Sequence, residues 1–181
     1  MKYFTPDLLA RFGSTDDRVA ADASEQWEGA HQAYREHLDS IHARIPKAVR
    51  SLLGQFNLHD ARVLAMGLRG DDRTFSIILQ LDSPRRDGLQ ISYQLAAPLK
   101  FVQHQELSGD STALGWWLYD ELDRPTEEPF SVYTHSILLT GGWEVQLAFY
   151  ALHWARYGKI VSPGFGRDAA STSNDIEALL T

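Results

Sequence analysis

The sequence predicts an α+β protein in which N-terminal helices, one of them long, precede a bent antiparallel sheet of six or seven strands. Two observations lead to that prediction. Before Asn57, apolar residues recur every three or four positions, which is the spacing of one helix face. After Asn57 they recur at every second position, as in a half-buried strand: Phe75, Ile77, Leu79 and Leu81. Helices can cover the apolar face of such a sheet, or the sheet can curl toward a half-barrel.

Three helices are predicted before residue 57. Residues 5–7, Thr-Pro-Asp, combine a hydroxyl cap with a proline and an acid in the first turn, and Gly13 suits the helix end. Residues 14–15, Ser-Thr, offer the cap of a long second helix, whose apolar stripe continues to Ile45. Because that length exceeds the usual globular helix, we expect either a kink near Gly29 or a protruding helix. A third apolar stripe follows: Val49, Leu52, Leu53 and Phe56.

Six or seven strands are predicted after the helices, at about 60–68, 74–82, 89–96, 99–106, 115–122, 130–139 and 143–154. The links between them contain glycine, proline and aspartate, which tolerate the dihedral angles of turns. Parallel neighbours need crossovers of a dozen or more residues, so these strands are predicted to be antiparallel. We expect one domain over 1–163, helical over 1–57 and sheet over 58–163, followed by a flexible tail at 164–181.

The register of the last hairpin can also be predicted. A three-residue loop at 140–142 makes His135 oppose Leu147 and places the large apolar residues of both strands on one face. A two-residue loop would scatter those residues over both faces. His135 then lies on the apolar face, where an unsatisfied polar group costs on the order of 1–3 kcal/mol. We therefore expect a buried carboxylate partner, and Asp60 is the predicted one.

Composition and charge exclude several classes of function. The net charge of −7 disfavours binding to nucleic acid or to an anionic membrane, since both need lysine and arginine to neutralise phosphates. The chain has no cysteine, which excludes disulfides, thiolate zinc sites, iron–sulfur clusters and a cysteine nucleophile. We find no signal-peptide pattern and no apolar run of about 20 residues that could span a bilayer, so a cytoplasmic location is expected.

His59 and Asp60 form the candidate metal motif, because imidazole and carboxylate groups bind divalent metals. His104 and His135, in later strands, are further candidate ligands. Successive side chains on a strand point to opposite faces, which opposes a metal shared by His59 and Asp60. The alternative is that His59, Asp60 and His135 are structural residues that form hydrogen bonds at the helix–sheet junction. We predict no metal, no cofactor and no catalytic residue.

Aromatic residues mark a candidate binding surface. Neighbours on a strand face opposite ways, so one member of the pair Trp116–Trp117 is expected to be exposed. Tyr133 and Trp143 complete the predicted binding set, although strands favour aromatic residues in any case. The G-x-G-x-x-A pattern at 164–169 lacks the strands that a dinucleotide site needs. An acidic cluster near the tryptophans is typical of solvated turns: Asp120, Glu121, Asp123, Glu127 and Glu128.

Three segments carry a resemblance to a known family: Met-Lys-Tyr-Phe-Thr at 1–5, Leu-His-Asp-Ala at 58–61, and the hairpin from His135 to Val145. With these segments the chain resembles bacterial proteins of an uncharacterised domain-of-unknown-function family. The resemblance implies a helical N-terminus that leads through a histidine–aspartate junction into strands. It implies no activity and no catalytic residue, and it favours an accessory protein over an enzyme.

The leading functional hypothesis is a non-enzymatic bacterial binding protein, of the accessory or toxin-neutralising kind. Its predicted partner is another protein, or a second copy that binds through the long helix. The first alternative is a metal-dependent hydrolase that uses the region of His59 and Asp60. The second is a protein that binds a small apolar ligand inside the curved sheet, in a pocket lined by Tyr93, Tyr133 and Trp143.

Overall fold

The architecture follows the two hydrophobic periodicities of the sequence. The computed structural model describes residues 1–70, 73–107, 115–124 and 132–159. Helices precede a curled antiparallel sheet of seven strands, so the predicted α+β class is confirmed. The predicted tail at 164–181, its glycine pattern and the acids Glu127 and Glu128 lie outside the described residues.

The helices are α1 (Pro6–Phe12), α2 (Asp17–Ile41) and α3 (Lys47–Gln55). Thr5 caps α1, as predicted, by accepting a hydrogen bond from the Leu8 N–H. Asp16 caps α2 in place of residues 14–15, because its carboxylate accepts hydrogen bonds from two N–H groups of the first turn. The helix then runs unbroken through Gly29. Within the described residues, none of the helices combines the length and the apolar character needed to cross a membrane.

The strands are β1 (Arg62–Leu68), β2 (Thr74–Gln80), β3 (Asp87–Leu95), β4 (Lys100–Gln103), β5 (Trp117–Asp123), β6 (Tyr133–Leu139) and β7 (Trp143–Lys159). Neighbouring strands are antiparallel in the order β1-β2-β3-β7-β6-β5. The long strand β7 pairs with β3 through its second half and with β4 through its beginning. Therefore β3 and β4 lie along the same edge of β7, separated by an interruption at 96–99.

The sheet curls into a half-barrel, and its two outer strands meet at one end. The Trp117 N–H donates to the Ala61 carbonyl at 2.9 Å, and the Asp60 N–H donates to the Trp117 carbonyl at 2.8 Å. The Val63 N–H donates to the Gly115 carbonyl at 2.9 Å. These bonds join β1 to β5 and satisfy backbone groups that an open sheet edge would leave unpaired.

The register predicted for the last hairpin is confirmed. Thr140–Gly142 forms the three-residue loop, and His135 opposes Leu147. Gly142 has a φ of +74°, and a Cβ at this position would lie 2.3 Å from the carbonyl oxygen of His104. Glycine is required here because both the backbone conformation and the close approach of His104 exclude a side chain.

Apolar residues of α3 and of the end of α2 pack onto the inward-facing residues of the strands. Polar atoms on aromatic rings tie these two layers together. The Tyr133 hydroxyl donates to the Arg44 carbonyl at 2.8 Å, and the Trp154 indole donates to a carbonyl of α3 at 3.1 Å. The Tyr34 hydroxyl, on α2, accepts the Leu122 N–H at 2.7 Å. Each bond satisfies the polar end of a ring whose apolar part is packed in the interior.

One carboxylate holds the N-terminal segment against β5. The N–H groups of residues 2–4 donate to the Glu121 carboxylate at 2.6, 2.7 and 2.6 Å. The Phe4 ring then packs against Trp27 and Tyr119, with ring centroids 5.2 and 5.6 Å away. This second apolar cluster joins the N-terminal segment and α1 to α2 and β5.

Candidate functional site

Four hydrogen-bonded polar side chains cross the interior of the sheet. The Tyr93 hydroxyl lies 2.9 Å from His135 Nδ1, and His135 Nε2 lies 3.0 Å from Asp120 Oδ2. The Trp117 indole N–H donates to Asp120 Oδ1 at 2.9 Å. Tyr93 and Trp117 are fully buried and His135 is 2% exposed. We call these four residues the interior network; its members satisfy one another where water has little access.

A β-bulge in β5 brings Asp120 into the interior network. The pairing of β5 with β6 shifts by one residue between Trp117 and Tyr119. After the shift, Asp120 bonds to the Trp117 indole inside the sheet, whereas Tyr119 packs against Trp27 of α2. Regular alternation from Trp117 would have pointed Asp120 to the other face.

The network fixes the protonation of its two acids. Burial alone would raise the pKa of Asp120, but hydrogen bonds from His135 and Trp117, together with the charge of His135 when protonated, bring that pKa below its usual value. Asp120 is therefore ionised at neutral pH. Burial, with Asp120 as a second cause, raises the pKa of Tyr93 well above its usual value. The protonated Tyr93 hydroxyl lies within hydrogen-bond distance of His135 Nδ1, and the ionised Asp120 carboxylate accepts from His135 Nε2.

Asp120 also reaches a cleft of about 240 Å³ at the junction of the helices and the sheet. We call it the junction cleft, and its other main lining residues are His31, Leu53, Phe56, Leu58, His59 and Tyr119. The Asp120 side chain is 19% exposed, and it is the only carboxylate that the described part of the chain contributes to the cleft lining. The junction cleft thus combines leucine and aromatic side chains with two histidines, Asn57 and the carboxylate of Asp120.

A larger groove, of about 660 Å³, lies where β3 gives way to β4. We call it the outer groove; its apolar lining includes Leu68, Leu95, Pro98, Leu99 and Tyr150. Leu68 and Tyr150 are 49% and 48% exposed, and Phe101 nearby is 46% exposed. Phe75 connects Phe101 to this region. It is the residue of β2 that pairs with Leu68, and its ring centroid lies 6.5 Å from that of Phe101.

The family model described as "Protein of unknown function (DUF4085)" matches residues 14–137, which is more than half of the 181-residue chain. The chain belongs to this family. The predicted membership of a domain-of-unknown-function family is confirmed. All four residues of the interior network and every residue named for the junction cleft lie inside the matched range, whereas Tyr150 of the outer groove lies beyond it. No curated protein is significantly similar to the chain in sequence.

In this DUF4085 chain, His59 and Asp60 lie in a turn that precedes β1. Asp60 has a φ of +63°, and its carboxylate lies 2.8 Å from His59 Nδ1. The prediction that strand geometry keeps the two side chains apart is wrong, because β1 begins only at Arg62. The prediction that Asp60 is the carboxylate partner of His135 is also wrong, because the bulge in β5 places Asp120 beside His135 instead.

The histidines proposed as metal ligands lie in different surroundings. His135 has both ring nitrogens bonded within the interior network. His104 Nε2 lies 2.8 Å from Glu144, whose other carboxylate oxygen lies 2.8 Å from the Met1 amino nitrogen. His59 pairs with Asp60. Across the described residues, no group of three or more histidine, aspartate and glutamate side chains is placed to hold a metal ion.

The four aromatic residues predicted to bind a partner differ in exposure. Trp116 is 46% exposed and Trp117 is fully buried, so one member of the pair is exposed, as predicted. Tyr133 lies in the core, and Trp143 is partly buried against it. A partner could touch Trp116 directly, whereas Trp117 and Tyr133 could only support the surface from beneath.

Aromatic rings fill the interior beside Tyr93 and Tyr133, where one alternative placed a ligand pocket. The Phe149 ring centroid lies 5.3 Å from that of Tyr93 and 5.7 Å from that of Tyr133. Trp143 packs against the same core. These contacts are those of a packed core, and the two cavities described above lie elsewhere.

The acidic residues around β5 have structural partners. Asp120 belongs to the interior network, Glu121 binds the N-terminal amides, and Asp123 lies 2.9 Å from His37. Sequence reasoning missed the role of Asp120, although the pattern of β5 contained a signal. Trp117 and Leu122 are both buried but five positions apart, so they share a face only if a bulge lies between them.

Proposed function

We propose that the chain is a non-enzymatic binding protein that holds a partner protein in the outer groove. The exposed apolar surface carries this proposal: Leu68 and Tyr150 are each nearly half exposed in one groove of about 660 Å³, and Phe101, 46% exposed, follows the groove residues Pro98 and Leu99 closely in the chain. Contiguous apolar patches on a folded surface mark interaction sites, unlike single exposed residues. Aromatic side chains in such patches supply much of the binding energy.

The buried polar groups named below are hydrogen-bonded within the fold, which supports a binding role. His135 has a partner on each ring nitrogen, Glu121 accepts three backbone N–H groups, and Glu144 bonds to His104 and Gln146. A nucleophile–base pair would need such groups free at a surface. Here they are used to hold strands and the N-terminal segment together.

The long helix is the weaker candidate for a surface that binds a partner or a second copy. Its apolar stripe is covered within the chain, where Ala23 and Trp27 pack against Phe4 and Leu8. Val19, at 36% exposed, is the most accessible large apolar residue of that stripe. We therefore assign the partner to the outer groove, in a role of the accessory or toxin-neutralising kind in a bacterial cytoplasm.

Affinity purification from the cell that makes the protein tests this proposal. Three tagged forms are compared: the wild type, the groove variant Leu68→Ser/Tyr150→Ser, and the control Phe12→Ser/Val19→Ser. The control removes two exposed apolar side chains from the helical part. We expect one protein to co-purify with the wild type and the control in near-equal amounts, and at least about tenfold less with the groove variant.

Equal recovery with all three forms would overturn the proposal, provided that denaturation curves show all three to be folded. A differently tagged copy of the chain in the same cell shows whether the partner is a second copy. The rival metal-dependent hydrolase has a separate test. Stoichiometric zinc, manganese or iron in the purified wild type, lost in His59→Ala, would favour the hydrolase over the binding protein.

A further inference from the structure

We propose that the junction cleft is a binding site for an organic cation, an alkyl guanidinium or alkyl ammonium group that enters along its apolar walls and pairs with Asp120. This site is independent of the outer groove and does not rest on the function proposed above. Its elements are the end of α3, one residue of α2, the turn before β1, and β5.

The charge of the cleft selects a cation. Among the described residues that line the cleft, Asp120 is the only acid, and none of them is a lysine or an arginine. The other ionisable groups in the lining are His31, His59 and Tyr119, and His59 is paired with Asp60. The depressed pKa of Asp120, which follows from its hydrogen bonds to His135 and Trp117 in spite of burial, keeps the carboxylate anionic near neutral pH.

Asp120 retains acceptor capacity for a ligand. Each carboxylate oxygen has two lone-pair positions, and each accepts one internal hydrogen bond, from Trp117 or from His135. The Asp120 side chain is 19% exposed, and Asp120 is one of the residues that line the cleft. The same two internal bonds hold the carboxylate in place, so a ligand need not order it on binding.

The walls suit the rest of such a ligand. Phe56 and Tyr119 line the cleft with aromatic rings, and an aromatic ring attracts a nearby cation through its quadrupole. Leu53 and Leu58 can cover a short alkyl stem. The cleft volume of about 240 Å³ lies below the range of roughly 300–1,000 Å³ typical of drug-sized ligands, so the occupant is small or is one side chain.

The indole N–H of Trp117 is a direct reporter for this site, because it donates to Asp120 at 2.9 Å. The chain has five tryptophans, whose indole signals can be followed in an ¹⁵N–¹H correlation spectrum. Titration with n-butylguanidinium near neutral pH is expected to shift the Trp117 signal to saturation. The neutral analogue n-butylurea, of similar shape, is expected to leave it in place. No saturable shift, or an equal shift with the urea, would overturn the proposal.

Variants connect the shift to the cleft. Asp120→Asn removes the charge at constant shape, and we expect it to abolish saturable binding. Because that change also touches the interior network, a second variant leaves the network intact: His31→Lys introduces a competing cation at the exposed wall. We expect it to weaken binding at least about tenfold. Gln32→Lys adds the same charge to an exposed position next to the wall, and equal weakening by this control would overturn the proposal.

Two sources could supply the cation, a free small molecule or an arginine side chain of a partner. The blocked peptide acetyl-Ala-Leu-Arg-Leu-Ala-amide is titrated in the same way. Tighter binding of the peptide than of n-butylguanidinium supports the site with a protein side chain as its occupant. Tighter binding of n-butylguanidinium supports the site with a free small cation. If a peptide with glutamate in place of arginine binds as well as either, the cation proposal is overturned.

Discussion

At the scale of single residues, His135 shows how a polar side chain is accommodated in an apolar interior. One ring nitrogen is hydrogen-bonded to a protonated tyrosine and the other to an ionised aspartate, so no polar atom of the imidazole lacks a partner. The network stabilises the fold most when it is complete. Removing one member leaves buried polar atoms of the others without a hydrogen-bond partner and out of reach of water. Asp120 belongs both to this structural unit and to the junction cleft.

The first prediction concerns Asp120→Asn. We expect this substitution to lower the free energy of unfolding near neutral pH by about 1.5–3 kcal/mol, the value of hydrogen bonds to a charged group. Urea denaturation measures the change. Asp39→Asn, at an exposed position of α2, is the control and is expected to change the free energy by less than about 0.5 kcal/mol. An equal loss in both variants would show that Asp120 has no special role.

The second prediction concerns how the stability difference between the wild type and Asp120→Asn depends on pH. The pKa of Asp120 is depressed on folding, so its contribution to stability is present above the unfolded-state pKa of about 3.9. That contribution is lost as the pH falls through the folded-state pKa. The difference in stability between the wild type and Asp120→Asn should therefore shrink as the pH falls below that unfolded-state value. A difference that grows in acid would contradict the assignment.

At the scale of elements, the β6–β7 hairpin and the β5 bulge differ in how far sequence can predict them. The hairpin register follows from its own residues, because one three-residue loop collects all large apolar side chains on one face. The bulge depends on pairing between β5 and β6, which the segment 125–131 separates along the chain. Position 120 looks like a solvated acid until that pairing is known.

The third prediction tests the hairpin loop. Gly142→Ala forces an L-residue into a positive φ, which costs about 1–2 kcal/mol, and drives its Cβ against the His104 carbonyl. We expect a loss of stability of at least that size in thermal or urea denaturation. Gly67→Ala is the matched control, because a Cβ there meets nothing within 4 Å. Similar effects of the two substitutions would contradict the close approach of His104.

The fourth prediction concerns Gly29, inside the unbroken helix α2. Alanine at this position meets no atom within 4 Å, and it removes the conformational entropy that glycine loses in a helix. We expect Gly29→Ala to raise the free energy of unfolding by about 0.5–1 kcal/mol. A destabilised Gly29→Ala variant would contradict the regular helix conformation at this point.

At the scale of the whole molecule, the two hydrophobic periodicities predict the architecture because they record which side of each element is buried. They predict neither the contacts between β1 and β5 nor the docking of the N-terminal segment, because both depend on residues far apart in the chain. Glu121 illustrates this limit. It reads as a surface acid, yet it is 7% exposed and binds three amides more than 100 positions away.

The last prediction tests that docking. Three N–H groups converge on Glu121, and Phe4 follows them into the second apolar cluster, so loss of the carboxylate should release the N-terminal segment as a unit. We expect Glu121→Ala to destabilise the fold by at least about 1.5–3 kcal/mol and to abolish the slow hydrogen exchange of the Phe4 N–H. Glu36→Ala, on the exposed face of α2, should leave both unchanged. Should Phe4 stay protected in Glu121→Ala, the apolar cluster alone would be sufficient to hold the segment.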